Sequence, residues 1–234
     1  MKKPLLLVAF LLSALTDLHA INLEQAVKES KGLKGKPKLE YLSRQFHGSD
    51  YARTLPRWPS KEEFSIDLDR LDCMTYAEYV LALDKINDFT EFHDAVRKIR
   101  YKDGQIDYKG RNHFFVDWLD NNPYLENVTS KFQCSRLEMK QLSKRGLGTK
   151  TREICYLPLK QSYDSLETGD FVGFYTSKPG LDVIHTGIII KKQEPWLRHF
   201  SMKGYQEIEL KKFLKTCAKK RKIIGLIIAR QKNQ

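Results

Sequence analysis

The sequence predicts an α+β fold, and three observations carry the prediction. Apolar residues recur at helical spacing through the first half, as in 73–87 (Cys73, Tyr76, Val80, Leu81, Leu83) and 88–101 (Phe89, Phe92, Val96, Ile99). After about residue 150 the pattern changes to short β-branched runs such as "DVIHTGIIIKK". Helices come first and strands second, which separates α+β from a βαβ repeat. The 234 residues suffice for one sizeable domain or two small ones sharing a core.

The elements follow in order. Residues 1–20 open with Lys2 and Lys3, continue with the apolar "PLLLVAFLLSAL" and end on Ala20, the layout of a signal peptide. The apolar run is shorter than the ~20 residues of a spanning helix. Residues 21–150 read as a mainly helical subdomain. Within it, 22–47 form one or two helices broken at "GLKGKPK", 48–63 a loop with Pro56 and Pro59, and 64–68 a short strand or an extended entry. The helices at 73–87 and 88–101 come next, then the turn-rich "KDGQIDYKGRNH". A short helix at 113–122 ends at Asn122-Pro123. Residues 151–234 read as an antiparallel β subdomain. Its strands are "EICYLPLK", "GDFVGFYT", "DVIHTGIIIKK", "PWLRHFSM" and "QEIEL", followed by the helix "LKKFLKTCAKK" and the closing strand "IIGLIIAR".

Composition narrows the partners. The chain is 41% hydrophobic and 30% charged, and no apolar run after residue 20 is long enough to span a membrane. The formal charge is +12. Cleavage after Ala20 removes two Lys and one Asp and leaves +11. This basicity suits an anionic partner. For an exported protein that means anionic lipid or an acidic wall polymer rather than nucleic acid. The expected location is the periplasm or the exterior. The cysteines Cys73, Cys134, Cys155 and Cys217 show neither C-x-x-C spacing nor a nearby His in ligand register, so no structural metal site is expected, and a Cys–His mechanism would need no metal or cofactor. An exported chain permits a disulfide, and Cys134–Cys155 is the expected pair. Oligomeric state is not legible.

Cys73 stands where a helix begins. The positive end of the helix dipole favours a thiolate there, while the alternative is a small buried core thiol. A nucleophilic sulfur needs a base from elsewhere in the chain. His185 interrupts the apolar strand "DVIHTGIII", and His199 lies on the next strand in "LRHFS". If the two strands pair antiparallel, His199 becomes a neighbour that orients His185, as the third member of a triad does. A helix-borne Cys followed by a sheet-borne His is the order of papain-like folds.

The segments "RLDCMTYAEYVLAL", "IRYKDGQIDYKGRNHFFVDWLDNN", "LETGDFVGFYTSKPGLDVIHTGIII" and "LRHFS", in that order, resemble the bacterial N-acetylmuramoyl-L-alanine amidase-like family. That family is an NlpC-type branch of the papain-like cysteine hydrolases, and the resemblance covers roughly residues 60–230. It implies a helical half packed on a small antiparallel sheet or barrel, with Cys73 as nucleophile, His185 as general base and His199 as orienting residue. Phe200, after His199, departs from the small residue the family commonly places there. The resemblance implies hydrolysis of an amide in peptidoglycan. The bond is muramoyl–L-alanine, or D-glutamyl–diamino acid within the stem peptide. A lipid acyltransferase and a non-catalytic wall-binding protein of the same fold are the alternatives. Asp72 contacts a substrate amine in this reading, or caps the helix. Arg111 and His113, in "RNHFF", line the cleft, or are a surface Arg and a helix-start His. Asp182 borders the cleft, or caps the entry to its strand.

Overall fold

The computed structural model describes residues 22–52, 62–132 and 135–232. The expected signal peptide and Cys134 lie outside these residues. The elements are α1 (Leu23–Ser30), α2 (Gly35–Ser43), β1 (Asp50–Tyr51), β2 (Arg70–Leu71), α3 (Cys73–Lys85), α4 (Phe92–Arg100) and α5 (Phe115–Asn121). They continue with β3 (Leu125–Asn127), β4 (Arg136–Lys144), β5 (Gly148–Pro158), β6 (Phe171–Thr176), β7 (Val183–Lys191), β8 (Pro195–Ser201), β9 (Gly204–Glu209), α6 (Leu210–Arg221) and β10 (Ile223–Gln231). The helices-then-strands order of an α+β chain is observed.

Strands pair antiparallel in the order β4-β5-β10-β6-β7-β8-β9, with β3 added beside β10. A separate parallel pair joins β1 to β2. β10 lies inside the sheet, and Leu226, Ile227, Ile228 and Ala229 are all fully buried. Burial on both faces accounts for the unbroken apolar run "IIGLIIA".

Alternation along the strands builds two cores. On one face, Phe171, Tyr175, Ile188 and Phe200 pack against α1–α5. On the other, Val172, Phe174, Ile189 and Leu197 pack under Leu210, Phe213 and Leu214 of α6. Each such side chain contributes roughly 1.5–3 kcal/mol by leaving water. The sheet is thus covered on both sides, and the two faces carry different parts of the site.

Local chemistry explains the helices. Asn22 caps α1 by accepting the Gln25 N–H at 2.9 Å, and Leu23, Ala26, Val27 and Ser30 form its buried stripe. α4 buries Phe92, Val96 and Ile99 at the expected spacing.

Two segments differ from the sequence pattern. Strand structure begins at Arg136, because β4 turns Leu137 and Met139 to solvent while burying Lys140 and Leu142. That inversion hides the strand from a hydrophobicity pattern. Residues 64–68 form no ladder, although Phe64, Ile66 and Leu68 pack on the helical core. Their alternation records one-sided packing without a strand partner.

Candidate active site

Cys73 is the first residue of α3. Asp72 before it has extended backbone, and its carboxylate accepts the N–H groups of Met74 (2.9 Å) and Thr75 (2.7 Å). Thr75 Oγ1 in turn accepts the Asp72 N–H at 2.8 Å, completing a capping box. Such a cap contributes about 1 kcal/mol. The Asp72 carboxylate is therefore engaged by the helix start, and no described contact directs it to a ligand.

This cap changes the chemistry of the sulfur. Burial pushes the Cys73 thiol up to about 11, and the neighbouring Asp72 charge adds to the rise. The N–H groups of Thr186 and Cys73 oppose it without cancelling it. The helix start favours a thiolate, and burial, with the Asp72 charge in second place, works against it. Cys73 is half-buried and a free thiol, as are Cys155 and Cys217. The pairing expected of Cys155 with Cys134 falls on a residue outside the described ones.

His185 and His199 sit on β7 and β8, which pair antiparallel. His185 Nε2 and His199 Nδ1 share a hydrogen bond of 2.8 Å, and the rings meet edge to face. In the tautomer where His185 donates, its Nδ1 keeps a bare lone pair. Both imidazoles rest on Phe213 of α6, with centroids 5.7 and 5.0 Å away, and His185 also packs on Phe174. Both are nearly sealed, at 5% and 4% exposure. Burial first, then the neighbouring His199 and the Arg221 guanidinium, hold His185 well below the ordinary imidazole range. Burial and Arg221 lower His199 to about 4. The resting pair is neutral.

A local irregularity presents His185. The β6–β7 register passes from Gly173↔Thr186 to Tyr175↔Val183, so Ile184 and His185 together face Phe174. Such a bulge re-aims side chains next to functional sites. Gly187 makes room beside the pair: a Cβ there would lie 2.5 Å from Leu197 and 3.1 Å from the Cβ of His199.

Thr186 ties the start of α3 to β7. Its Oγ1 donates to the Cys73 carbonyl at 2.7 Å. Thus Cys73 meets β7 at the residue next to His185, although no hydrogen bond joins the sulfur to the imidazole. Thr186 was missed in the sequence. The available signal was a hydroxyl in an otherwise apolar strand, directly after the histidine. Tyr51 was also missed. It is half-buried, pairs with Leu71, and its hydroxyl is pushed up by burial and by Cys73 and Asp72. Nothing in the local sequence ties it to Cys73, since the contact comes from the β1–β2 pairing.

The other candidates lie apart from the sulfur. Arg111 pairs with Glu62 at 2.8 Å, and Tyr101 donates to the same carboxylate oxygen at 2.7 Å. His113 donates from Nε2 to the Tyr108 carbonyl at 2.6 Å, and burial lowers its pKa. No described contact brings either residue to Cys73. Asp182 is buried and accepts the N–H groups of Val116 (2.9 Å) and Val183 (2.7 Å). Val116 is the second residue of α5, whose own cap residue Phe114 offers no side-chain bond, so Asp182 caps that helix from outside. Burial raises its carboxyl to about 6. Among the described residues no group of three or more His, Cys, Asp or Glu is placed to hold a metal, and no helix is long and apolar enough to cross a membrane.

A half-buried thiol against a strand bearing paired neutral imidazoles is an arrangement for nucleophilic acyl transfer. Residues 41–224 match the AmiA-like family, described as N-acetylmuramoyl-L-alanine amidase-like. The chain belongs to that family. Among solved structures similar to it, an N-acetylmuramoyl-L-alanine amidase from Bacteroides uniformis has a TM-score of 0.73 and 28% identity, covering 85% of this chain and 99% of its own. A putative xylanase from Bacteroides fragilis has a TM-score of 0.67 and 27% identity, covering 81% of this chain and 99% of its own. A protein from Legionella pneumophila is 18% identical with a TM-score of 0.76, over 90% of this chain and 93% of its own, a likeness of fold. No curated protein matches. Within the AmiA-like family, then, this member carries Cys73 and the His185–His199 pair on the two elements that Thr186 joins.

Proposed function

We propose that this AmiA-like protein is an exported cysteine hydrolase of the NlpC-type, papain-like kind that cleaves an amide bond of peptidoglycan. The observation that carries the reading is the His185–His199 hydrogen bond on the strand that receives the first residue of α3. Family membership supports the substrate class.

The neutral resting groups fit a general-base mechanism. His185 takes the Cys73 proton as the sulfur attacks the amide carbonyl, and His199 steadies the imidazolium that forms. N–H groups at the α3 start, that of Cys73 included, stabilise the oxyanion. The tetrahedral adduct collapses as His185 gives its proton to the departing amine, and the C–N bond breaks to leave a thioester. Water, deprotonated by His185, attacks the thioester, and the sulfur regains its proton. Glycoside hydrolysis, the activity named for the Bacteroides fragilis relative, needs two facing carboxyl groups. Here Asp72 is held in a capping box and Asp182 lies under α5.

The test is incubation with purified peptidoglycan and mass analysis of the products. Sugar chains freed of peptide, with the peptide released whole, indicate cleavage at muramoyl–L-alanine. Truncated dipeptide stems indicate cleavage after D-glutamate. Cys73→Ala should release neither, and release undiminished by that substitution would overturn the reading.

A further inference from the structure

We propose that Thr186 is a positioning residue: its hydroxyl fastens the start of α3 to β7 and so sets the distance between the Cys73 sulfur and His185. The inference rests on the cysteine-hydrolase reading and assigns a role within that site.

Thr186 is 2% exposed, and its neighbours along β7 include Ile188, Ile189 and Ile190. Valine would fill the same volume and suit the strand equally well. A buried hydroxyl is costly to leave unpaired, and this one donates to the Cys73 carbonyl, 113 positions away. That carbonyl lies in the first turn of α3, where it also accepts within the helix, and a carbonyl oxygen has two lone pairs. The Thr186 bond is not required to satisfy the helix. What it adds is a link between the element carrying the sulfur and the element carrying the imidazole.

The link falls where small displacements matter. His185 and Thr186 are consecutive, so fixing Thr186 to Cys73 fixes the approach of α3 to the His185 backbone. The β6–β7 bulge immediately before it gives this part of β7 an irregular ladder, with less restraint from neighbouring strands. A displacement of about 1 Å at a reacting atom can cost around a hundredfold in rate. The same residue also turns its backbone N–H toward the sulfur, which favours the thiolate. The charged and titratable groups around this point are Asp72 on α3, Tyr51 from β1, His185 on β7 and, beyond the imidazoles, Arg221 of α6.

The test compares the full-length Thr186→Val, Thr186→Ala and Thr186→Ser variants with wild type. Two quantities are read: turnover of peptidoglycan, and the pH profile of iodoacetamide alkylation on the peptide containing Cys73. Cys155 and Cys217 serve as reference thiols. Thr186→Val is expected to lower kcat at least about tenfold with KM little changed. Its Cys73 alkylation should slow at least about threefold at pH 9, with the profile displaced to higher pH. Thr186→Ser should restore both readings. If Val does not give folded protein, Ala against Ser supplies the same comparison. Profiles and kcat within about twofold of wild type in Val or Ala overturn the proposal. So does failure of Ser to rescue. Should wild type release nothing from peptidoglycan, the hydrolase reading falls, while the alkylation profile still decides what Thr186 does to Cys73.

Discussion

Two regions of the molecule hold imidazoles among polar groups, and they differ in what those groups have left to do. In the first, Glu62 receives both Arg111 and Tyr101, and His113 donates to the Tyr108 carbonyl. Charge and hydrogen bonds close on one another. In the second, His185 and His199 share a hydrogen bond, and Cys73 is a free thiol with no cationic partner among the described residues. Burial has separated the protonation equilibria there, raising the thiol and lowering both imidazoles. On the proposed reading, the contrast teaches that residue type does not distinguish a structural cluster from a reactive one. Unspent bonding capacity does.

Substitution can break that contrast. The largest effect is expected at Cys73: Cys73→Ala should cut turnover by at least roughly a thousandfold, because the bond-forming atom is gone. Thermal melts should change little, since the side chain is small and half-buried. His185→Gln comes next, with a loss of about 10²–10⁴-fold in kcat measured on the same substrate. A loss confined to KM would remove His185 from the base role. His199→Ala should cost at least about tenfold, by releasing the His185 ring from its orientation. At the other region the order reverses. Glu62→Gln should leave turnover near wild type but cost about 1–3 kcal/mol of stability, because the Arg111 guanidinium and the Tyr101 hydroxyl lose their charged acceptor. A large kcat effect there would mean that the two regions work together.

Acidity sharpens the comparison further. The proposed mechanism needs His185 neutral, and its folded pKa is depressed. The sign follows: as pH falls through the ordinary imidazole value near about 6.5, His185 in the folded protein stays unprotonated and activity holds. The acid limb of kcat/KM should therefore lie below that value. A limb centred at or above it would mean that the ring is solvated during turnover.

Much of this was legible in the sequence, and the failures have physical causes. The helix at 73–87, the β7 and β8 strands and the His185–His199 neighbour relation follow from periodicity and from pairing of consecutive strands. The upward push on the Cys73 thiol did not follow, because the dipole rule takes no account of burial or of Asp72 in the cap. Thr186 was hidden because strand patterning treats threonine as one more β-branched residue. Its partner lies 113 positions away. β4 escaped notice because it exposes Leu137 and Met139 and buries Lys140, whose ammonium donates to the Thr176 carbonyl. Asp182 was read at the entry to its own strand, yet it also caps α5, a contact that only the tertiary fold creates.

The protonation state of the nucleophile is the point on which the mechanism turns, and alkylation of wild-type Cys73 across pH measures it directly. The structure predicts a rate that keeps rising through the alkaline range, with half-ionisation near the value of about 11 set by burial and Asp72. A rate that levels off below about pH 8, the signature of a thiolate stabilised by a neighbouring cation, would contradict it.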